Sequence, residues 1–227
     1  MQEQFHFERD RSVDLWFMRS ALLAQFGSEP DRKRPSIDDQ LCASILSART
    51  HDDVWLKAFL HVKAHVGGHW HLLGEVALQD IRRLIPDVTF AERKAFSLKT
   101  LWRAHPEGFA HVAQMPVAQG LAELELNHGV GRKISAAALN FSTLRARAFV
   151  ADTHVLRVLQ RFGFIGALAR AKEAYDAVMP AAGGFEADDL FELHWHLKRL
   201  GQKVCTHGKA NCGACPLASS CMRRFDA

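Results

Sequence analysis

One tyrosine in 227 residues, scarce threonine and no stretch of alternating apolar and polar residues leave little material for β-strands. No apolar run approaches the roughly 20 residues that cross a bilayer, so no membrane contact is expected. The opening Met1–Asp10 carries acidic residues early and no apolar core, so no secretory leader is expected either. The cytosol is then the expected compartment, and thiols there stay reduced. Five cysteines, four of them packed near the C-terminal end, therefore read as metal ligands before disulfides. Charge of one sign is barely in excess: 29 Lys and Arg against 25 Asp and Glu, a net +4, with thirteen His. Such a surface suits a polyanion without demanding one.

What is abundant is alanine and leucine at helical spacing. Hydrophobic residues make up 48% of the chain and charged residues 24%, enough for one large or two small domains with their own cores. Val13, Trp16, Phe17, Ala21 and Leu23 trace a first helix that Gly27 ends. After a polar loop with Pro30 and Pro35, Ser36 caps a strongly apolar helix over 37–47, in which Cys42 reads as a buried thiol. Further helices are expected at 52–66, 78–84, 90–104, 116–124, 133–141, 153–162, 168–179 and 187–200. They are separated by Gly67-Gly68, Pro86-Asp87, Pro106-Glu107-Gly108 and a glycine turn at 129–131. The fold class is all-α with short connections.

The glycine turn is the first stretch that carries chemistry. In Gly129-Val130-Gly131-Arg132-Lys133 a second helix opens directly behind two glycines. Their bare backbone lets a phosphate approach the amides, and the helix dipole favours an anion at the same point. That is the logic of a hairpin that grips DNA backbone without reading bases; a plain tight turn between packed helices is the other account. Lys133 sits in the first helical turn, where the dipole opposes a cation and favours the neutral, nucleophilic amine. A phosphate contact beside Arg132 is its alternative role.

Asp152, in Val150-Ala-Asp-Thr-His-Val, precedes an apolar-periodic helix and reads as its N-cap. Capping amides would also keep the carboxylate ionised and aimed, which equips it to stabilise positive charge on a sugar. Cys205-x6-Cys212-x2-Cys215-x5-Cys221 is the strongest signal, since four thiolates in so short a segment can close round one centre. Only one short Cys-x2-Cys unit is present, which tilts the expectation to a [4Fe–4S] cluster, with zinc as the alternative. Lys203, His207, Lys209, Arg223 and Arg224 surround these ligands and would present positive charge to phosphates.

Taken in order, Ile45-Leu-Ser-Ala-Arg-Thr-His-Asp-Asp53, the 129–133 hairpin, Ala151-Asp-Thr-His-Val-Leu-Arg-Val158 and the four-cysteine run resemble endonuclease III. The likeness, to iron–sulfur helix–hairpin–helix DNA glycosylases, covers nearly the whole chain from about residue 12. It implies a two-lobed all-α fold with DNA crossing the cleft between the lobes. One lobe would be a six-helix barrel over about 30–145; the other would join 1–29 to 146–227 and hold the cluster. Lys133 falls on the family's Schiff-base lysine, Asp152 on its catalytic aspartate and the four cysteines on the cluster ligands. The implied activity is base-excision repair: a damaged nucleotide is flipped from the duplex, its base is removed, and the abasic site is nicked by β-elimination. The implied partner is double-stranded DNA holding a damaged base or an abasic site. The chain would act as a monomer, in the bacterial cytoplasm at the nucleoid.

The departures fall on elements that read DNA. Asn127-His128 stands where the family has a Leu-Pro pair, and Arg49 replaces a Gln associated with filling the gap left by the flipped base. Thr89-Phe90 replaces a Gly-Leu pair, leaving Phe90 either as an apolar wedge or as a core residue. Oxidised pyrimidines are the default substrate, with another modified base open. The rivals are an adenine-mismatch or other monofunctional glycosylase, which would lack Lys133, and a non-catalytic DNA-binding protein with a metal module.

Overall fold

The computed structural model describes residues 10–30 and 33–223. In chain order its helices are α1 (Arg11–Phe26), α2 (Ile37–Ser47), α3 (Asp52–His65), α4 (Leu78–Leu84), α5 (Ala91–Ala104), α6 (Val117–Glu125), α7 (Arg132–Asn140), α8 (Thr153–Phe162), α9 (Ala171–Ala181) and α10 (Ala187–Lys203). Short 3₁₀ segments lie at Trp70–Gly74, Ala110–Gln114 and Cys212–Ala214. No strand occurs among the described residues, so the all-α class expected from the sequence is the one adopted. The chain divides into two compact units, Arg32–Val150 and Met1–Asp31 with Ala151–Ala227.

Arg32–Val150 holds α2 to α7. Ser36 Oγ accepts the Asp39 amide at 3.1 Å and starts α2, whose Ile37, Leu41, Cys42, Ile45 and Leu46 are buried. This helix packs on α7, α3 and α5. Contact with α7 is close because Ala136, Ala137 and Ala138 are small and wholly buried. The Cys42 thiol accepts the Trp102 indole N–H at 3.3 Å, and burial pushes its pKa up, so it is a packed core residue. Lys63 and Trp70 both bond the Asp39 carboxylate, at 2.7 and 2.8 Å, and Asp38 accepts the Phe109 amide at 3.0 Å. These two carboxylates in the first turn of α2 tie down the 3₁₀ segments, which the helical periodicity of the sequence does not reveal.

The other unit packs α1 against α9 and α10, and α8 against both α9 and α10. Asp10 accepts the Ser12 amide at 2.8 Å to open α1, and Gly27, at φ 70°, closes it. Leu15, Met18 and Leu22 of α1 and Leu190, Leu193 and Leu197 of α10 are buried where the two helices pack. Arg19 pairs with Asp189, and Arg199 with Glu29. A Cβ on Gly201 would lie 2.9 Å from the His154 carbonyl, so only glycine lets α10 approach α8 this closely. The helix expected over 168–179 begins later, at Ala171. There the Glu173 carboxylate accepts the Arg170 amide at 2.9 Å and fixes the start.

Candidate active site and thiol cluster

Between α6 and α7 the chain turns through Asn127–Gly131, and the two glycines have different reasons to be there. Gly129 has φ 81°, and a Cβ on it would collide with Ser97 Oγ and lie 2.9 Å from Ser97 Cβ. Gly131 has φ −105° with nothing within 4 Å of a built Cβ, so neither backbone nor packing demands glycine. Its bareness leaves the amides that open α7 accessible, and no side chain caps them. Val130 is buried as the anchor of the turn.

Arg132 is not simply aimed outward. Its Nε donates to Glu125 Oε1 at 2.5 Å and a terminal nitrogen to Oε2 at 3.3 Å, while Ser135 Oγ donates to the same carboxylate at 2.7 Å. The arginine thus braces α6 against α7. The unusual Asn127-His128 pair is also fastened. Asn127 Oδ1 lies 2.8 Å from His105 Nε2, His128 Nδ1 lies 3.1 Å from Ser97 Oγ, and Phe96 meets the His128 ring edge-on at 5.0 Å. These contacts replace the stiffness that a proline would give.

Lys133 is half-buried in the first turn of α7. Near it lies a lysine the sequence reading missed. Lys94 of α5 is only 7% exposed, and its Nζ donates to Leu46 O at 2.8 Å, Ala48 O at 2.6 Å and Thr50 Oγ1 at 2.9 Å. Burial, and then the charge of Lys133, push its pKa down to about 8. Its signal was spacing, because it falls on the stripe of Ala91, Ala95, Leu98 and Leu101 that α5 buries. The acceptors of Lys94 lie at the end of α2 (Leu46) and in the turn after it (Ala48 and Thr50), which carries the exposed Arg49 at φ 55°. Phe90, at φ 58°, precedes α5 and is 51% exposed, so it is a surface side chain and not a core one. Leu126, beside the hairpin, is 83% exposed and was likewise not anticipated.

Asp152 is the N-cap of α8. Its Oδ1 accepts the amides of His154 and Val155, both at 2.9 Å. Burial alone would raise its pKa; His194, the Val155 amide, Lys198 and His154 outweigh that and hold the carboxyl below its ordinary value. The carboxylate is therefore ionised at neutral pH and fixed in direction. His194 and Lys198 of α10, which create much of that field, are functional neighbours that no motif marked.

Cys205, Cys212, Cys215 and Cys221 are unpaired and half-buried, and all four line one cavity. Burial pushes the Cys215 and Cys221 thiols up, and negative charge on their fellow cysteines adds to the shift. Such thiols become thiolates together only when a cationic centre compensates them. Among the described residues, no group of three or more His, Cys, Asp or Glu is set to hold a metal ion. The sulfurs instead ring a shared space. Arginines from α8 fasten the loop. Arg157 Nε donates to Cys205 O at 2.8 Å, and Arg161, itself buried, donates to Thr206 O at 2.7 Å and His207 O at 3.0 Å. Lys203, His207, Lys209 and Arg223 are exposed around it; Arg224 lies outside the described residues.

An all-helical chain in which a bare-amide hairpin opens a buried helix is a helix–hairpin–helix protein. Residues 42–180, more than half of the chain, match the family described as HhH-GPD superfamily base excision DNA repair protein, and the chain belongs to that family. It is 32% identical to Endonuclease III of Sulfolobus acidocaldarius over 98 residues, which is 43% of this chain and 42% of that protein. It is 29% identical to DNA glycosylase/AP lyase ROS1 of Arabidopsis thaliana over 108 residues, 41% of this chain and 8% of that one. The chain thus spans less than half the length of these relatives. Among solved structures, a trapped endonuclease III–DNA covalent intermediate superposes with a TM-score of 0.77 at 20% identity, over 93% of this chain and 96% of that one. A thermostable thymine-DNA glycosylase gives 0.67 at 19%, over 93% and 95%. At these identities the likeness is one of fold, and it is the fold that the sequence resemblance implied.

Proposed function

We propose that this protein is a DNA glycosylase with AP-lyase activity, acting on duplex DNA that carries a damaged base or an abasic site. The observation that carries the proposal is Lys133 in the opening turn of α7, directly behind the bare hairpin and within the electrostatic reach of a buried lysine. A helix N-terminus and a neighbouring cation both favour the neutral amine, the form that attacks carbon.

The steps follow from ordinary carbonyl chemistry. A nucleotide is turned out of the duplex, and the Lys133 amine forms a bond to C1′ as the C1′–N bond breaks and the base leaves. The resulting N,O-acetal opens at its C1′–O4′ bond, O4′ taking up the proton that the nitrogen gives up, to leave a Schiff base. A proton is then lost from C2′ to a base or water and the 3′ phosphate is expelled, nicking the strand. Asp152, ionised and capped, is the carboxylate suited to stabilise the cationic sugar. Amides at the hairpin bind a backbone phosphate without choosing a sequence. Arg49 and Phe90, exposed on left-handed turns, enter the duplex where the base has left. Oxidised pyrimidines are the first bases to test.

The four cysteines suit a [4Fe–4S] cluster. The donor set is soft and all-thiol, and its four residues line one cavity. Cys205, Cys212, Cys215 and Cys221 would hold the cluster, whose contribution is to shape a basic loop. Borohydride is expected to trap the protein covalently on abasic-site DNA, and Lys133→Ala to abolish trapping. Equal trapping by that variant removes Lys133 from its role. A panel of duplexes with different modified bases, scored for nicking, identifies the substrate.

A further inference from the structure

Arg49 and Phe90 both hold left-handed backbone, at φ 55° and 58°, and both side chains are exposed. Glycine takes that conformation freely and other residues do not, so such a turn lasts only where its surroundings hold it. The two residues are far apart in sequence, one after α2 and one before α5, yet a single residue closes both turns. Lys94 donates its backbone amide to Phe90 O at 3.1 Å, which completes the first turn of α5 behind Phe90. Its side chain crosses to the other turn, where Nζ donates to Leu46 O at 2.8 Å, Ala48 O at 2.6 Å and Thr50 Oγ1 at 2.9 Å.

That second attachment suits an ammonium. Its three N–H groups find one acceptor each. Leu46 O lies in the last turn of α2 and Ala48 O just beyond it, where carbonyls lack partners within the helix and the dipole favours a cation. The acceptors stand on both sides of Arg49 in sequence, so the ammonium grips the turn around it. Lys94 is only 7% exposed and has little water to put in their place. Within the turn, Thr50 N donates to Ser47 O at 3.1 Å and the Thr50 hydroxyl to Ala48 O at 3.4 Å. Those bonds close the turn on itself; the bonds to Lys94 tie it to α5.

We propose that Lys94 is a positioning residue for entry into the duplex: it clamps the Arg49 turn to the Phe90 turn and sets the spacing at which the two side chains meet DNA. The proposal rests on the reading of Arg49 and Phe90 as the side chains that enter where the base has left. Lys94, itself buried, acts through them. Holding both in place beforehand removes the entropy cost of ordering them as the nucleotide turns out.

The test is single-turnover nicking of an abasic-site duplex, with each substitution made in two backgrounds, wild type and Arg49→Ala/Phe90→Ala. Lys94→Met keeps the length of the side chain and loses its three donors. In the wild-type background it is expected to slow nicking by about 10- to 100-fold. The double-alanine background leaves nothing to position, and there the same substitution should change the rate by less than about twofold. Equal slowing in both backgrounds marks a residue that serves the fold at large and overturns the proposal. So does Lys94→Met at the wild-type rate. Should Lys94→Met fold poorly, Thr50→Val carries the same cycle. It removes one acceptor, leaves the ammonium, and is expected to slow nicking by about two- to tenfold in the wild-type background alone.

The two levels fail separately. If Arg49→Ala/Phe90→Ala nicks like wild type, the reading of those side chains as the ones that enter DNA is lost. If that variant is slow and Lys94→Met multiplies the loss, only the clamp is lost. Hydrogen exchange reads the clamp without catalysis. In Lys94→Met or Thr50→Val the segment 46–50 should exchange at least about threefold faster while 37–45 of α2 keeps its protection. Unchanged exchange over 46–50 in both variants refutes the clamp.

Discussion

At Asp152, a single side chain has two separable duties. As N-cap it accepts two amides of α8, and asparagine does that nearly as well. As a carboxylate it carries charge, and asparagine does not. Asp152→Asn is therefore expected to melt close to wild type while base removal and nicking fall by orders of magnitude. Asp152→Ala should lose about 1 kcal/mol of stability as well, from the missing cap. Calorimetry beside single-turnover kinetics checks both; parallel loss of melting temperature and activity in the Asn variant would reduce the residue to a cap. The pH sign follows from its environment. The folded carboxyl titrates below its ordinary value, so its contribution to stability is complete above about pH 4 and is lost as pH falls through the folded value. In Asp152→Asn that part of the acid-side dependence should disappear. The capping role was legible in the sequence because a polar residue stood before an apolar period. The field from His194 and Lys198 was not, because they lie some forty residues away and reach Asp152 only once α10 packs on α8.

At the scale of the element, the hairpin separates what the fold needs from what a ligand needs. Gly129→Ala places a side chain at φ 81° and against Ser97, so it should destabilise the unit by roughly 1–2 kcal/mol from the backbone alone, with the collision adding to that. Gly131→Ala meets neither obstacle and should leave stability unchanged or gain a few tenths of a kcal/mol, about the size of the entropy removed from the unfolded chain. If the amides behind it bind phosphate, the same methyl should weaken binding to damaged and undamaged duplex alike. Filter binding of the two variants on both duplexes decides it, and unchanged affinity in Gly131→Ala would remove the phosphate from that point. The sequence showed a Gly-X-Gly turn and could not distinguish these two roles. A φ angle and the approach of Ser97 from another helix are products of packing. The same limit hid Lys94, whose spacing placed it on the buried stripe but whose acceptors lie at the end of α2 and in the turn after it. It also hid the 3₁₀ segments, which carboxylates of α2 hold in place.

At the scale of the whole molecule, helical periodicity and the order of four motifs were enough to indicate the family and the all-α fold, since both are written in local spacing. What local spacing does not carry is how stability is shared between the two units, and the thiol loop makes that measurable. The segment 205–221 has little regular structure among its described residues: one bridge between Cys205 and Ala210, and the 3₁₀ turn at Cys212–Ala214. Its order comes from Arg157 and Arg161 of α8, from the burial of Leu217, and, in the proposed function, from a cluster held by four thiolates. Removing iron would leave those thiols to share a cavity in which burial and mutual repulsion already oppose ionisation at Cys215 and Cys221. They would take up protons, and the loop would keep only the two arginines, the buried Leu217 and a few backbone bonds to hold it. Amides of 205–221, and next those of α8, should then exchange hydrogen much faster, while α2 to α7, whose core contains none of these groups, should keep its protection. Hydrogen exchange with and without chelation reads this directly. Uniform loss of protection through both units would mean that the cysteines support the entire chain, and unchanged exchange in 205–221 would mean that they hold no metal at all.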